Sequence, residues 1–95
     1  MDNIEIEREE TGRFVTRIDG HEAELTYKRV SDDVVDAYHT GVPKVLGGKG
    51  VGKALVAALF LDAQTRGYKV IPSCPFIASM AKRRAEWGEM VVAAD

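Results

Sequence analysis

Cysteine is almost missing from this chain of 95 residues: Cys74 is the only one, which rules out an internal disulfide. Long hydrophobic runs are missing too. The longest, Ala54 to Leu61, is far short of the roughly 20 apolar residues a membrane-spanning helix needs, so no membrane partner is expected. The opening Met1–Glu5 has neither the basic nor the apolar region of a signal peptide, and a reducing cytoplasm is the expected setting. Basic excess is lacking: the formal charge is −2 and the pI about 5.7, which argues against a nucleic-acid partner. Repeats, low-complexity tracts and linkers are absent, no metal site is expected, and the length suits one domain over residues 1–95.

What is present is a balance of 45% hydrophobic and 29% charged residues, that of a globular chain. The charge is unevenly spread. Residues 1–43 carry 11 acidic and 5 basic side chains, a net of −6, whereas residues 44–95 carry a net of +4. The positive half holds the glycine-rich stretch Gly47-Gly48-Lys49-Gly50-Val51-Gly52-Lys53-Ala54, as an anionic ligand there would require.

The first 43 residues read as an antiparallel meander with one buried face. Alternation predicts strands over Ile4–Glu7, Arg13–Ile18, Glu22–Tyr27 and Val34–Thr40. Thr11-Gly12, Asp19-Gly20 and Ser31-Asp32-Asp33 mark the turns. Pro43 stops regular pairing near Gly41-Val42. A helix is predicted from Gly50 to Arg66, with Val51, Leu55, Leu59 and Ala63 on its apolar face and Gly67 as its C-terminal cap. Tyr68–Ile71 is a fifth strand, parallel to the fourth across the helical crossover. A second helix is predicted from Pro75 to about Glu86, and Met90–Val92 as a short strand. The fold class is α+β: a meander followed by a βα(β)α unit, with two helices on a mixed, twisted sheet.

Four glycines in six positions, running straight into an apolar helix, aim backbone N–H groups and a helix dipole at one point. The stretch matches G-x-x-x-x-G-K of a nucleotide-binding P-loop, but Ala54 stands where a hydroxyl must bind magnesium. None of Asp62, Glu86, Glu89 and Asp95 ends an apolar strand to serve as the acidic partner, so a P-loop is excluded. A phosphate cradle of another kind remains, against the plainer reading of a glycine-rich helix cap.

Three blocks carry a resemblance: Tyr38-His39-Thr40-Gly41-Val42-Pro43, Leu46 through Leu55, and Val70-Ile71-Pro72-Ser73-Cys74. With their spacing across residues 22–87, the chain resembles the small single-domain GNAT-like N-acetyltransferases of the YjdJ type. The glycine loop then fits Q/R-x-x-G-x-G/A, the coenzyme A pyrophosphate loop of that superfamily. The resemblance implies a GNAT-like fold that binds acetyl-CoA where strands four and five splay. Gly47, Gly48, Lys49, Gly50, Val51, Gly52 and Lys53 would hold the pyrophosphate, and free backbone groups at Val42 the pantetheine amides. Two positions depart from the family pattern: Gly41 replaces a usual glutamate and Gly47 a usual arginine.

Acetyl transfer needs a deprotonated amine and a protonated leaving thiolate. By family analogy Cys74, at the end of strand five, is an acid or an acetyl-carrying nucleophile; the alternative is a buried packing residue. His39 is a candidate base, or a half-exposed strand histidine bonded to backbone. Strand alternation sets Tyr38 opposite His39. Lys82, Arg83 and Arg84 suit either the 3′-phosphate of coenzyme A or a helix C-terminus, and Trp87 reads as an anchor for the tail. The function expected is N-acetylation of an exposed amine, on a small molecule or a protein. The alternative is a non-catalytic coenzyme A-binding or protein-interaction module.

Overall fold

In the computed structural model, which describes residues 4–93, five strands lie in the spatial order of the sequence. They are β1 (Glu7–Glu9), β2 (Arg13–Ile18), β3 (His21–Ser31), β4 (Val34–Gly41) and β5 (Lys69–Pro72). Pairing is antiparallel up to β4, and β4 and β5 are parallel, joined through α1 (Val51–Arg66). The expected α+β class and mixed sheet are therefore found.

Asp19 and Gly20 both take positive φ (52° and 80°), so the two-residue turn twists with its strands and sets the β2–β3 register. The first strand lies later than its alternation predicts. The turn that carries the Gly12 N–H to the Glu9 carbonyl (3.0 Å) starts the β1–β2 ladder at Glu9 and Arg13. Pairing reaches Glu7 only, while Ile4 and Ile6 pack against the core without ladder bonds.

Phe14, Leu25, Tyr27, Val35 and Ala37 share one face of the sheet and form a core with Leu55, Val56, Leu59 and Phe60 of α1. A second helix, α2 (Pro75–Ala81), adds Ile77 and Met80 to that core. The helix predicted to reach Glu86 ends at Ala81. Arg84 is extended (φ −135°, ψ 129°), and a separate turn, α3 (Ala85–Gly88), follows. The break brings Trp87 onto Phe60 in a stack of 5.3 Å, with the Arg84 guanidinium 5.0 Å over the indole. Three helices thus replace the expected two. The predicted tail strand reduces to one bridge, Val70 with Val91.

Alternation turns Arg13, Arg17, Glu22, Glu24, Lys28 and Asp36 to the other face, away from the helices. Behind α1, Asp62 accepts hydrogen bonds from Arg8 Nε (3.1 Å), Arg66 Nε (2.8 Å) and Tyr68 Oη (2.8 Å), tying the helix to β1 and the start of β5. Burial and the Asp62 carboxylate hold the Tyr68 phenol above its usual range.

Candidate functional site

The β4–β5 ladder ends at Ala37 and Pro72. Proline has no N–H to offer, and the Cys74 N–H turns back to the Ala37 carbonyl (3.1 Å). Beyond this point β4 continues from Tyr38 to Gly41 without β5 beside it. Val42 follows, and neither its N–H nor its carbonyl bonds another backbone group among the described residues.

A second irregularity lies at the same place. Thr26 pairs with His39 but Tyr27 pairs with Ala37, so Tyr38 is an extra residue, a β-bulge. The bulge resets the alternation. Thr40 faces the helices opposite Leu25, and His39 joins Thr26 on the helix-free face. His39 and Cys74, the two expected catalytic residues, are therefore not brought together. Cys74 instead meets Thr40, with Sγ and the threonine hydroxyl 3.6 Å apart. Tyr38 and His39 are both largely exposed.

Cys74 is the N-cap of α2 and is buried. Burial pushes its thiol upward, but the backbone N–H of Ile77, the Thr40 hydroxyl and the backbone groups of Phe76 and Thr40 favour the thiolate more strongly. The net shift is downward. The sulfur makes no full capping hydrogen bond; the N–H dipoles at the helix start act on it all the same.

On the helix-free face, His39 Nε2 lies 3.8 Å from Glu24 Oε2. Glu24 pairs directly across from Gly41, and its Cγ lies 3.8 Å from the point a Cβ at 41 would occupy. The space left by the glycine holds the imidazole (3.0 Å from that point to Nε2) and a carboxylate from the neighbouring strand. Glu24 was not singled out from sequence, because its pairing with Gly41 depends on the bulge. Its other oxygen accepts from Arg13 Nη1 (2.7 Å); that guanidinium also binds Glu22 and Glu9.

The glycine loop begins with a 3₁₀ turn over Lys44–Leu46, in which the Gly47 N–H donates to the Lys44 carbonyl (2.9 Å). Gly47 is thereby committed to the turn. Gly48 and Gly50 both sit at φ 77°, where side chains are strained, and Gly50 is the N-cap of α1. Having no side chain, it caps none of the helix's orphan donors. The first helical bond runs from the Ala54 N–H to the Gly50 carbonyl (3.0 Å). The six N–H groups of Gly48, Lys49, Gly50, Val51, Gly52 and Lys53 have no backbone partner among the described residues. The Val51 side chain is buried, so only its N–H is available, while Lys49 and Lys53 are exposed at the rim. A Cβ at Gly48 or Gly50 would meet nothing within 4 Å; at Gly52 it would press on the Phe76 ring (3.2 Å) and approach Val42 (3.6 Å). The cradle therefore adjoins the open end of β4 through Val42, Gly52 and the half-exposed Phe76.

Comparison with known proteins places this geometry in context. Residues 13–90 match the family model of GCN5-related N-acetyl-transferases. The solution structure of a GCN5-like candidate N-acetyltransferase from Staphylococcus aureus superposes with a TM-score of 0.74. It is 33% identical, over 100% of this chain and 94% of that one.

Proposed function

The chain belongs to the family of GCN5-related N-acetyltransferases, and we propose that it binds acetyl-CoA and transfers the acetyl group to a primary amine. The observation that carries this reading is the set of six unpartnered N–H groups from Gly48 to Lys53 at the positive end of a 16-residue helix. They match the donors a pyrophosphate accepts from, and the open space over Gly48 and Gly50 leaves room for its oxygens. Lys49 and Lys53 add charge at the rim, and the free backbone groups of Val42 suit the pantetheine amides.

Acetyl-CoA supplies an activated acyl carbon. The chain's own residues handle the protons on either side of the strand gap. On the helix-free face His39 takes the proton of the incoming ammonium at the ring nitrogen turned away from Glu24. The glutamate stabilises the resulting imidazolium. On the helix face Cys74 gives its Sγ proton to the leaving sulfur. Its lowered pKa makes it the readier donor, and the Thr40 hydroxyl supports the charge left behind. One N–C bond forms and one C–S bond breaks. Of the two protons the ammonium loses, His39 takes the first before attack; the second leaves the acylated nitrogen to restore the Cys74 thiol that has protonated the leaving sulfur.

The test is release of coenzyme A thiol from acetyl-CoA across a panel of primary amines. Turnover is expected for the wild type, with losses of about 10²- to 10⁴-fold in His39→Asn and a marked loss in Cys74→Ala. Gly41, lacking the carboxylate that the resemblance leads one to expect, favours a second reading, a coenzyme A-binding module without turnover. Acetyl-CoA binding with no thiol release for any amine would establish that reading instead.

A further inference from the structure

We infer that Gly41 is a positioning residue: the side chain it lacks is the space that seats the His39 imidazole against Glu24, so this glycine serves the base rather than the fold. The inference rests on the acetyltransferase reading above, in which His39 is that base. Glycine in a paired strand is a cost, because it packs nothing and loses more backbone freedom on folding than any other residue. Gly41 is the last residue of β4 and pairs with Glu24. Gly12, Gly20, Gly48, Gly50 and Gly67 take positive φ; Gly41 does not, so its backbone suits any residue. The reason for a glycine here lies in what approaches it.

The three atoms nearest to a Cβ at position 41 all belong to side chains: His39 Nε2 (3.0 Å), His39 Cε1 (3.7 Å) and Glu24 Cγ (3.8 Å). Ordinary contacts at such a Cβ lie at 3.4–4 Å, so alanine pushes the ring back by a few tenths of an ångström. The two methyl groups of valine would fill the seat. Glu24 does not follow the ring. Its Oε1 is held by Arg13 Nη1 (2.7 Å), which leaves Oε2 at 3.8 Å from His39 Nε2. Arg13 is held in turn by Glu9 (2.6 Å) and Glu22 (2.7 Å), so the carboxylate is fixed through β1, β2 and β3. At 3.8 Å the imidazole and carboxylate interact through charge rather than a full hydrogen bond. A ring moved off this seat loses that support and carries its proton-accepting nitrogen away from the incoming amine.

The test compares Gly41→Ala and Gly41→Val with the wild type in the full chain. Both variants are expected to melt at or above the wild-type temperature, since alanine and valine suit a paired strand better than glycine. Acetyl-CoA affinity, read by calorimetry, is expected to be unchanged. Thiol release with the most reactive amine of the panel is expected to fall severalfold in Gly41→Ala and about 10- to 100-fold in Gly41→Val. In a His39→Asn background, which has no ring to seat, Gly41→Val is expected to cost less than about twofold. NOEs read the ring position itself: His39 Hε1 to a Gly41 Hα in the wild type, and ring contacts with the Glu24 Hγ protons that vanish in Gly41→Val. A wild-type ring without an NOE to Gly41, ring–Glu24 NOEs kept in Gly41→Val, or unchanged turnover in that variant would each overturn the inference. So would an equal cost in the His39→Asn background, or a loss of melting temperature or acetyl-CoA affinity alongside the loss of turnover. A wild type that releases no thiol with any amine would sink acetyl transfer instead, and the NOEs alone then decide the seat of His39.

Discussion

Two glycines at opposite ends of α1 allow stability and binding to be separated. Gly50 (φ 77°) precedes the helix and Gly67 (φ 81°) follows it, and a Cβ at either would meet nothing within 4 Å. Alanine at either position therefore pays only for a left-handed backbone, about 1–2 kcal/mol. For a chain of this size that lowers the melting temperature by roughly 5–10 °C in both variants. Their effects on acetyl-CoA should differ. Gly50 lies within the run of six free N–H groups, and Gly67 is roughly 24 Å away along a 16-residue helix. If alanine at 50 rotates one N–H away from a phosphate, the loss is that of a charged hydrogen bond, about 1.5–3 kcal/mol, or roughly 10- to 150-fold in affinity. Thermal denaturation and calorimetric titration with acetyl-CoA measure the two quantities. Matched melting losses with a binding loss in Gly50→Ala alone are expected. Equal binding by both variants and the wild type would refute the cradle, and equal weakening of both would reduce it to general destabilisation.

Other consequences can be checked independently. Because the Cys74 thiol is held below its ordinary value, its Cβ carbon shift should titrate at lower pH than that of free cysteine. Thr40→Val removes a group that favours the thiolate and should move the midpoint up; a downward move would contradict the assignment. Glu24→Gln should lower turnover by about tenfold while leaving acetyl-CoA affinity unchanged, since it acts through His39 and touches no loop residue. A parallel fall in acetyl-CoA affinity would show a structural role instead. Asp62→Ala strands the buried Tyr68 hydroxyl and the partly buried Arg8, and should cost about 2–4 kcal/mol in urea unfolding. A loss under about 1 kcal/mol would mean that water satisfies these groups.

Much of the fold was legible because its signals are local. Asp19-Gly20 set a hairpin, Gly67 ended a helix, and the spacing of Val51, Leu55, Leu59 and Ala63 marked a face that is indeed buried. Features that depend on distant partners were not. The break after Ala81 exists so that Trp87 can reach Phe60, 27 residues earlier, and helical periodicity carries no trace of it. The bulge at Tyr38 adds a residue without changing composition, so alternation alone misassigns the faces beyond it. This is why Thr40, rather than His39, meets Cys74, and why alternation does not set Glu24 opposite Gly41. The glycine loop was readable since its chemistry lies in the backbone. The fold alone shows that Gly47 commits its N–H to the preceding turn while the six that follow have no backbone partner among the described residues.

Acetyl-CoA binding rests on those six N–H groups, and an amide NMR titration with acetyl-CoA tests them most directly. Binding in the cradle is expected to give saturable shifts at Gly48 through Lys53, extending to Val42 and Phe76, with little change at Gly67. Shifts that avoid Gly48–Lys53, or none at concentrations that saturate a millimolar site, would contradict it.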